Sequence, residues 1–334
     1  MTDVYLNAIA GAQGSTRQRN DAITLGMPGS QCERLVNKIG ITERPVAGSD
    51  QYTSDLALDA VRKLLAESPW LTPDEIGALL VCTQTPDHLI PGVSSRLHGQ
   101  LELSADCFVL DINQGCSGFV LGTQMAAALQ KTLSKGKSTI LVNADTYTRL
   151  LQAEDLPTRV LFGDAATATV FSSHVRRGLH VVYCRSYADG TGYDAFVAHG
   201  SALRPHGERA AGIHMDGPAI LNFALHVVPE AVQQALTDTG LQIEEIKTVI
   251  FHQANHFVIS QLSRKLELSS AQVPENCAHM GNVVSASIPT LLAEQMPALM
   301  PGDKVMAVGF GVGLSWGVSV FECLSNAASD LEKI

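Results

Sequence analysis

One cysteine of the chain occupies a position at which folds commonly expose a nucleophile. Cys116 follows an apolar run at 107–112 and the turn Asn113-Gln114-Gly115, and it precedes a helical pattern over 117–130. The unpaired N–H groups and the positive dipole end at a helix N-terminus favour thiolate over thiol. The pattern therefore predicts a reactive, ionised thiol at the start of a helix.

Two further side chains have the chemistry to act with this thiol. His252 closes an apolar run, and Asn282 follows Gly281. Imidazole and carboxamide groups can both donate a hydrogen bond to an oxygen that gains negative charge. We expect the three side chains to meet and to carry acyl transfer through a thioester. Taken singly, each also has a plainer explanation, because cysteines are often buried apolar residues and asparagines often occupy turns.

The composition limits the class of protein. The chain has 334 residues, of which 46% are hydrophobic and 17% charged, which excludes a disordered chain and suits an α/β enzyme. A net charge of −10 makes nucleic acid an unexpected partner. No apolar run reaches the roughly 18 residues that a membrane span needs, and no secretion signal is visible. We therefore expect a cytoplasmic protein without a membrane span.

The seven cysteines are scattered and contain no C-x-x-C pair. In a cytoplasmic chain this spacing indicates reduced thiols, with no disulfide framework and no zinc site. The histidines likewise lack the spacing of metal ligands. We expect no metal and no permanently bound cofactor.

The second half of the sequence repeats the first. Asp74-Glu75-Ile76 and the strand after it recur as Glu244-Glu245-Ile246 and its strand, and the same spacing separates Gly136 from Gly302 and Cys116 from Asn282. Strands alternating with helices predict sheets that are covered on both faces. We expect an α/β fold, a duplicated layered α/β/α/β/α sandwich with halves 1–175 and 176–334.

Two segments between the repeated elements are less regular. The boundary between the halves is predicted near residues 172–178. Residues 187–212 lack a clear hydrophobic periodicity, which predicts a loop or cap near the site. A solvated surface segment is the alternative that stays open.

Several motifs resemble, in this order, those of the β-ketoacyl-acyl-carrier-protein synthase III family of the thiolase superfamily. The likeness spans roughly residues 30–322, and the family pattern is more specific for the fold and the triad than for the substrate. The motifs are Gly40-Ile41-Thr42-Glu43-Arg44, Gly115-Cys116-Ser117-Gly118-Phe119, Phe162-Gly163-Asp164-Ala165-Ala166, His252-Gln253-Ala254-Asn255, Gly281-Asn282 with Ser285-Ala286-Ser287-Ile288-Pro289, and Gly309-Phe310-Gly311-Val312-Gly313-Leu314-Ser315-Trp316-Gly317.

The resemblance implies an acyltransferase, a ketosynthase of fatty acid or polyketide biosynthesis. Cys116 is expected to accept the acyl group, and His252 with Asn282 to assist decarboxylation of a malonyl thioester. The backbone at Cys116 and at Gly311 or Val312 is expected to supply oxyanion donors.

The resemblance also implies substrate and partner contacts. The expected substrate-binding residues are Ile90, Phe162, Asn255 and Gly313. Ile90 is expected to gate the acyl pocket of the partner subunit in a homodimer. Arg264 and Lys265 are expected to dock an acyl carrier protein.

The chain departs from the family pattern where the family contacts coenzyme A. Arg34 stands in place of a tryptophan and Lys38 in place of an arginine, and Pro218 and Asn222 replace an asparagine and a lysine near the tunnel. These changes favour a carrier-protein-bound or unusual acyl group, although the choice between carrier protein and coenzyme A stays open.

Two more departures concern the acyl pocket and the docking surface. Val312 replaces a glycine and narrows the turn beside the cysteine, because its side chain is branched. Ile90 is smaller than the usual phenylalanine and would admit longer or branched chains. Phe257 replaces a basic residue of the docking patch.

Two other functions stay open. The same scaffold could pass the acyl group to an oxygen or nitrogen nucleophile, and a non-catalytic partner subunit is the less favoured reading because the triad is kept. The acyl chain length and the pathway are not predicted by these residues.

Overall fold

The computed structural model describes residues 3–133, 136–174, 178–205, 207 and 210–324. The predicted boundary between residues 175 and 176 lies outside the described residues, so the division into two halves stays a prediction.

The strands and helices follow the predicted alternation. The strands are β1 (Tyr5–Gln13), β2 (Thr16–Arg19), β3 (Glu43–Val46), β4 (Ile76–Cys82), β5 (Phe108–Ile112), β6 (Ser138–Asp145), β7 (Ala165–Ser172), β8 (Leu179–Ala188), β9 (Phe196–His199), β10 (Gly212–Met215), β11 (Ile246–Phe251), β12 (Lys304–Gly311) and β13 (Ser315–Cys323). The helices are α1 (Ala22–Leu25), α2 (Gly29–Ile39), α3 (Thr53–Glu67), α4 (Val93–Gln100), α5 (Gly118–Leu129), α6 (Leu156–Arg159), α7 (Gly217–Thr239), α8 (His256–Lys265), α9 (Cys277–Met280) and α10 (Ser287–Gln295).

Nine of the described strands form one sheet in which a strand order occurs twice. The order is β11-β12-β13-β8-β1-β7-β6-β4-β5, so that β4-β6-β7-β1 is mirrored by β11-β12-β13-β8. In both arms the first pair of strands is parallel and the next is antiparallel. A short pairing of β1 with β8 joins the arms at Tyr5 and Leu6. β5 extends the first arm.

The repeat is also visible in the capping of two short 3-10 turns. The Thr72 N–H donates to Glu75 at 2.8 Å, and the Gln242 N–H donates to Glu245 at 2.7 Å. Both are capping boxes, which satisfy backbone donors at the start of a helical turn. Each turn leads directly into the first strand of its arm, β4 or β11.

The helices form layers on and between the two arms. α5 contacts β4 and β6 on one side and β8, β12 and β13 on the other, and α10 also contacts strands of both arms. α3 packs on the outer face of the first arm, and α7 packs on the outer face of the second. The result is the predicted α/β/α/β/α layering. Every residue of β4, β6 and β7 is buried, as expected for strands that are covered on both faces.

The structure corrects the interpretation of residues 187–212. Residues 187 and 188 end β8, and β9 pairs with β10 in an antiparallel hairpin, so this segment is not an irregular loop throughout. The strands of this hairpin are only four residues long, which is too short to give a clear alternation of apolar and polar residues in the sequence. Among the described residues, no helix has the length and apolar character that a bilayer crossing requires.

Candidate active site

A mostly apolar cavity of about 90 Å³ brings the three predicted catalytic side chains together. Cys116 reaches it from the turn between β5 and α5, His252 from the end of β11, and Asn282 from the turn after α9. The residues lining this cavity are Cys116, Leu161, Phe162, Phe196, Met215, Gly217, Ile220, Leu221, Ala224, His252, Ala254, Asn255, Val258, Asn282, Phe310 and Gly311.

The thiol of Cys116 is buried, and burial decides its charge. Desolvation, with a smaller contribution from the Asp145 carboxylate, raises the pKa of Cys116 to about 12. Two backbone N–H groups, those of Cys116 and Val312, act on the sulfur and lower its pKa, but by less. The prediction of an ionised thiol in the free enzyme is therefore wrong, because the cost of burying a thiolate exceeds the help from these donors.

The turn that supplies the Val312 N–H requires a glycine beside the cysteine. A Cβ at Gly311 would lie 2.8 Å from Cys116 Cβ and 3.0 Å from Sγ, too close for any side chain. Glycine here lets the end of β12 approach the sulfur. The Val312 side chain also lies close to the turn that precedes the cysteine. A Cβ built at Gly115 would be 2.5 Å from Val312 Cγ1.

His252 is held by its backbone and by an aromatic neighbour. Its N–H donates to Val308 O at 2.8 Å, and its ring meets the Phe310 ring edge-on at 5.7 Å between centroids. Burial lowers the pKa of His252 to about 3, so the imidazole is neutral at physiological pH. The ring Nδ1 is buried and has no hydrogen-bond partner among the described residues, which leaves Nε2 for a bound thioester.

The side chain of Asn282 is oriented by the chain that follows it. Its Oδ1 accepts a hydrogen bond from the Val284 N–H at 2.9 Å, and Val284 adopts a positive φ of 52°. Its backbone N–H donates to Leu161 O at 2.8 Å, and its carbonyl accepts from the Gly163 N–H at 3.0 Å. With Oδ1 engaged, the amide NH2 of Asn282 is the group available to a ligand in the cavity.

A buried carboxylate that the sequence did not single out connects the two sides of the site. Asp145, at the end of β6, accepts hydrogen bonds from the Gln84 N–H at 2.8 Å and from Ser285 Oγ at 2.9 Å. Burial raises the pKa of Asp145 to about 7. Ser285 follows Asn282 closely, so Asp145 links the first arm to the Asn282 turn. An acid at the end of a strand that contains the apolar run 140–142 is the signal that could have found it.

Arg44 belongs to the motif at residues 40–44, and the fold shows a role for it that the motif does not predict. Its guanidinium is fully buried and donates to Val160 O and Asn20 Oδ1, both at 3.2 Å. Its side chain also lies under Gly281, where a Cβ would approach Arg44 Cδ to 3.3 Å. Arg44 therefore supports the backbone on which Asn282 sits.

Comparison with known proteins agrees with this geometry. Residues 110–190 match the family model of 3-oxoacyl-[acyl-carrier-protein] synthase III, and residues 236–323 match that of its C-terminal part. The chain is 32% identical over 337 residues to a β-ketoacyl-[acyl-carrier-protein] synthase III of Lactiplantibacillus plantarum, covering 96% of this chain and 99% of that protein. The β-ketoacyl-acyl-carrier-protein synthase III family includes this chain.

Further relatives of this synthase III chain give the same result. A synthase III of Clostridium tetani is 31% identical over 307 residues, covering 86% of this chain and 89% of that protein. The crystal structure of a 3-oxoacyl-(acyl-carrier protein) synthase from Burkholderia xenovorans is similar with a TM-score of 0.88 at 30% identity, covering 97% of this chain and 95% of that one. The predicted family, thiolase-like fold and acyltransferase class are confirmed.

The other predicted substrate residues of this synthase III chain fall into two groups. Phe162 and Asn255 line the cavity, and the side chain of Asn255 also caps α8 by accepting from the Val258 N–H at 3.0 Å. Gly313 is not among the lining residues and lies against Ser315. Ile90 is 87% exposed and is not among the residues that line the cavity of its own chain.

The two basic residues predicted to dock a carrier protein differ in their side-chain contacts. Arg264 is exposed, and its side chain has no hydrogen bond or ion pair with the described residues. Lys265 is also exposed, but its Nζ donates to Leu225 O at 2.6 Å. Two of the departures from the family pattern meet nearby, since Lys38 Nζ lies 5.2 Å from the centre of the Phe257 ring.

Proposed function

We propose that this chain is a decarboxylative condensing enzyme in which Cys116 carries the acyl group. The single observation that supports this most is the shared cavity, which is lined by Cys116, His252 and Asn282 and in which two backbone N–H groups act on the Cys116 sulfur. Side chains from two distant parts of the sequence converge there on one small volume.

In the loading step, the Cys116 sulfur attacks the carbonyl carbon of an acyl thioester. The new bond joins Sγ to the acyl carbon, the bond to the donor sulfur breaks, and the thiol proton of Cys116 ends on the leaving thiol. The backbone N–H groups of Cys116 and Val312 are the donors that we assign to the oxyanion of the tetrahedral intermediate. Losing one such donor costs about 3 kcal/mol of transition-state stabilisation.

In the condensing step, a malonyl thioester loses carbon dioxide and its carbon attacks the acyl group on Cys116. Charge builds on the thioester oxygen, and the neutral imidazole of His252 and the amide of Asn282 donate to it. The bond from the acyl carbon to Sγ then breaks, the Cys116 thiolate takes up a proton from solvent, and a β-ketoacyl thioester leaves. A low pKa suits His252 for this role, because it must donate as a neutral ring.

We assign an acyl carrier protein, with coenzyme A as the alternative, as the bearer of the thioesters. Arg34 and Lys38 lie on α2, which packs against α8 with the exposed Arg264, so cations gather on two neighbouring helices of an otherwise acidic chain. Complementary charge of this kind speeds the association of proteins. The relatives named above carry the carrier protein in their names.

We also propose a homodimer formed at the edge of the sheet. β5 ends the nine-stranded sheet, and its Phe108 is 45% exposed. Leu89 and Ile90 are 59% and 87% exposed, although they are large and apolar. An open strand edge and exposed apolar side chains are typical of a surface that pairs with a second copy. Ile90 would then reach the partner's acyl pocket. The Ile90→Asp variant should shift the size-exclusion profile toward monomer.

The deciding experiment is intact mass spectrometry of the protein after incubation with a panel of acyl thioesters, on carrier protein and on coenzyme A. We expect a covalent acyl adduct on Cys116, and carbon dioxide release once malonyl carrier protein is added. An unmodified Cys116 with every donor would contradict the proposal.

Val312 favours one alternative, transfer of the acyl group to an oxygen or nitrogen nucleophile. Its branched side chain occupies space beside Cys116 that a glycine would leave open. If an adduct forms on Cys116 but malonyl thioesters release no carbon dioxide, this alternative is correct and the condensing step is not.

A further inference from the structure

Helix α7 contains a proline in its interior. Pro229 has no backbone N–H, so it cannot donate the helical hydrogen bond that the carbonyl of Leu225 would receive from the residue four positions later. In most helices that contain proline, such a carbonyl turns to water or to a neighbouring group.

In this chain the missing donor is replaced from a different helix. Lys265, in the last turn of α8, donates from Nζ to the Leu225 carbonyl at 2.6 Å. We infer that Lys265 is a positioning residue that fastens α8 to the proline break of α7, and that it is not a docking cation.

The position of this contact gives it a consequence for the cavity. The α7 residues that line the cavity, Gly217, Ile220, Leu221 and Ala224, all precede Pro229. The part of α7 after Pro229 does not reach the cavity. A helix whose hydrogen bonding is interrupted at Pro229 can move its first part relative to its second.

Another wall of the cavity includes the start of α8, a helix that also packs against α7. Asn255, the N-cap of α8, and Val258 line it. Lys265 therefore joins two walls of one cavity, at the point where the α7 wall is least supported by its own helix. Among the basic residues of α8, this leaves Arg264 as the side chain that is free to meet a partner.

The test uses four variants of the full chain: Lys265→Met, Lys265→Arg, Pro229→Ala, and Lys265→Met combined with Pro229→Ala. One readout is thermal unfolding, and the other is the rate at which iodoacetamide labels Cys116, with Cys107 on the same protein as the internal reference. Neither readout depends on the proposed reaction.

We expect Lys265→Met to lower the melting temperature by about 2 °C and to speed labelling of Cys116 about threefold, while Cys107 is unchanged, because the α7 wall loosens locally. Pro229→Ala supplies the missing N–H, so the double variant should regain both wild-type values. Lys265→Arg keeps a donor and should resemble the wild type.

Three outcomes would overturn the inference. They are an unchanged Lys265→Met variant, a double variant as impaired as the single one, and a Lys265→Arg variant as impaired as Lys265→Met. Arg264→Met is the matched control, since it removes the neighbouring cation and should leave both readouts at the wild-type values. If Pro229→Ala does not fold, the comparison of the arginine and methionine variants still decides.

Discussion

The two arms of the sheet have the same strand order, yet they deliver different chemistry to one cavity. In the first arm, β5 runs into Cys116 and then into α5, so this arm supplies the reacting sulfur and one backbone N–H group. The second arm supplies the side-chain donors His252 and Asn282 and, from the turn after β12, the N–H of Val312. A duplicated frame therefore fixes where groups converge, while the turns at the strand ends decide which groups they are.

Burial keeps both the Cys116 thiol of the first arm and the His252 imidazole of the second arm uncharged. It raises the pKa of the Cys116 thiol and lowers the pKa of the His252 imidazole, because it opposes a charge of either sign. The free site is thus neutral on both sides. Charge develops in it only as substrate reacts, where the donors are already in place.

The largest effect should come from removing the nucleophile of the first arm. Cys116→Ala should lower condensation by roughly 10³-fold or more, because no other group in the cavity can form the acyl-enzyme. Intact mass spectrometry should show no acyl adduct on this variant, whereas Cys107→Ala should be labelled as the wild type is. An adduct that persists in Cys116→Ala would move the nucleophile elsewhere.

Removing the donors of the second arm should separate the two half-reactions. Asn282→Ala and His252→Ala should each slow carbon dioxide release from malonyl carrier protein by about 10²–10³-fold, since one oxyanion donor is lost. Acyl loading of Cys116 should stay within tenfold of the wild type. Rapid quench followed by mass spectrometry measures both steps, with the exposed His226→Ala as the control. If acyl loading and carbon dioxide release slow by the same factor, the two arms do not act in separate half-reactions.

A substitution at Gly311 should disturb the close contact between the end of β12 and Cys116. Gly311→Ala places a Cβ within 3.0 Å of the Cys116 sulfur and forces the β12 turn or the thiol to move. We expect acyl loading to fall about 10²-fold, because a displacement of about an ångström at a reacting group has that cost. Gly29→Ala is the control, since a Cβ there meets nothing within 4 Å. Normal loading of Gly311→Ala would show that the turn is more tolerant than its geometry indicates.

The sequence predicted the order of elements and the convergence of the triad because both depend on local patterns. The apolar run at 107–112 predicts a strand before Cys116, which the structure has at Phe108–Ile112. The helical pattern at 117–130 predicts a helix after it, which the structure has at Gly118–Leu129. Apolar runs that end at glycine turns carry this information by themselves.

What the sequence did not predict depends on contacts between distant residues. The charge state of Cys116 follows from how deeply the finished fold buries it, and a helix N-terminus alone pointed the wrong way. Lys265 looked like a surface cation because its partner, a backbone carbonyl of α7, has no signature in the sequence. The support that Asp145 gives to the Asn282 turn likewise appears only when the two arms are packed together.

The smallest of the effects that compare the two arms concerns pH, and it tests the burial of His252. The pKa of His252 is about 3 in the folded chain and 6.5 when exposed, so the unfolded state binds the proton first as the pH falls. The stability that depends on a neutral His252 is complete above pH 6.5 and is lost toward pH 3, by about 1.4 kcal/mol per pH unit. Between pH 6.5 and pH 5 the wild type should therefore lose about 2 kcal/mol more unfolding free energy than His252→Gln, measured in urea. The matched control is His226→Gln, because His226 is exposed and this variant should show the same pH dependence of stability as the wild type. If the unfolding free energies of the wild type and of His252→Gln depend on pH in the same way, water reaches the imidazole.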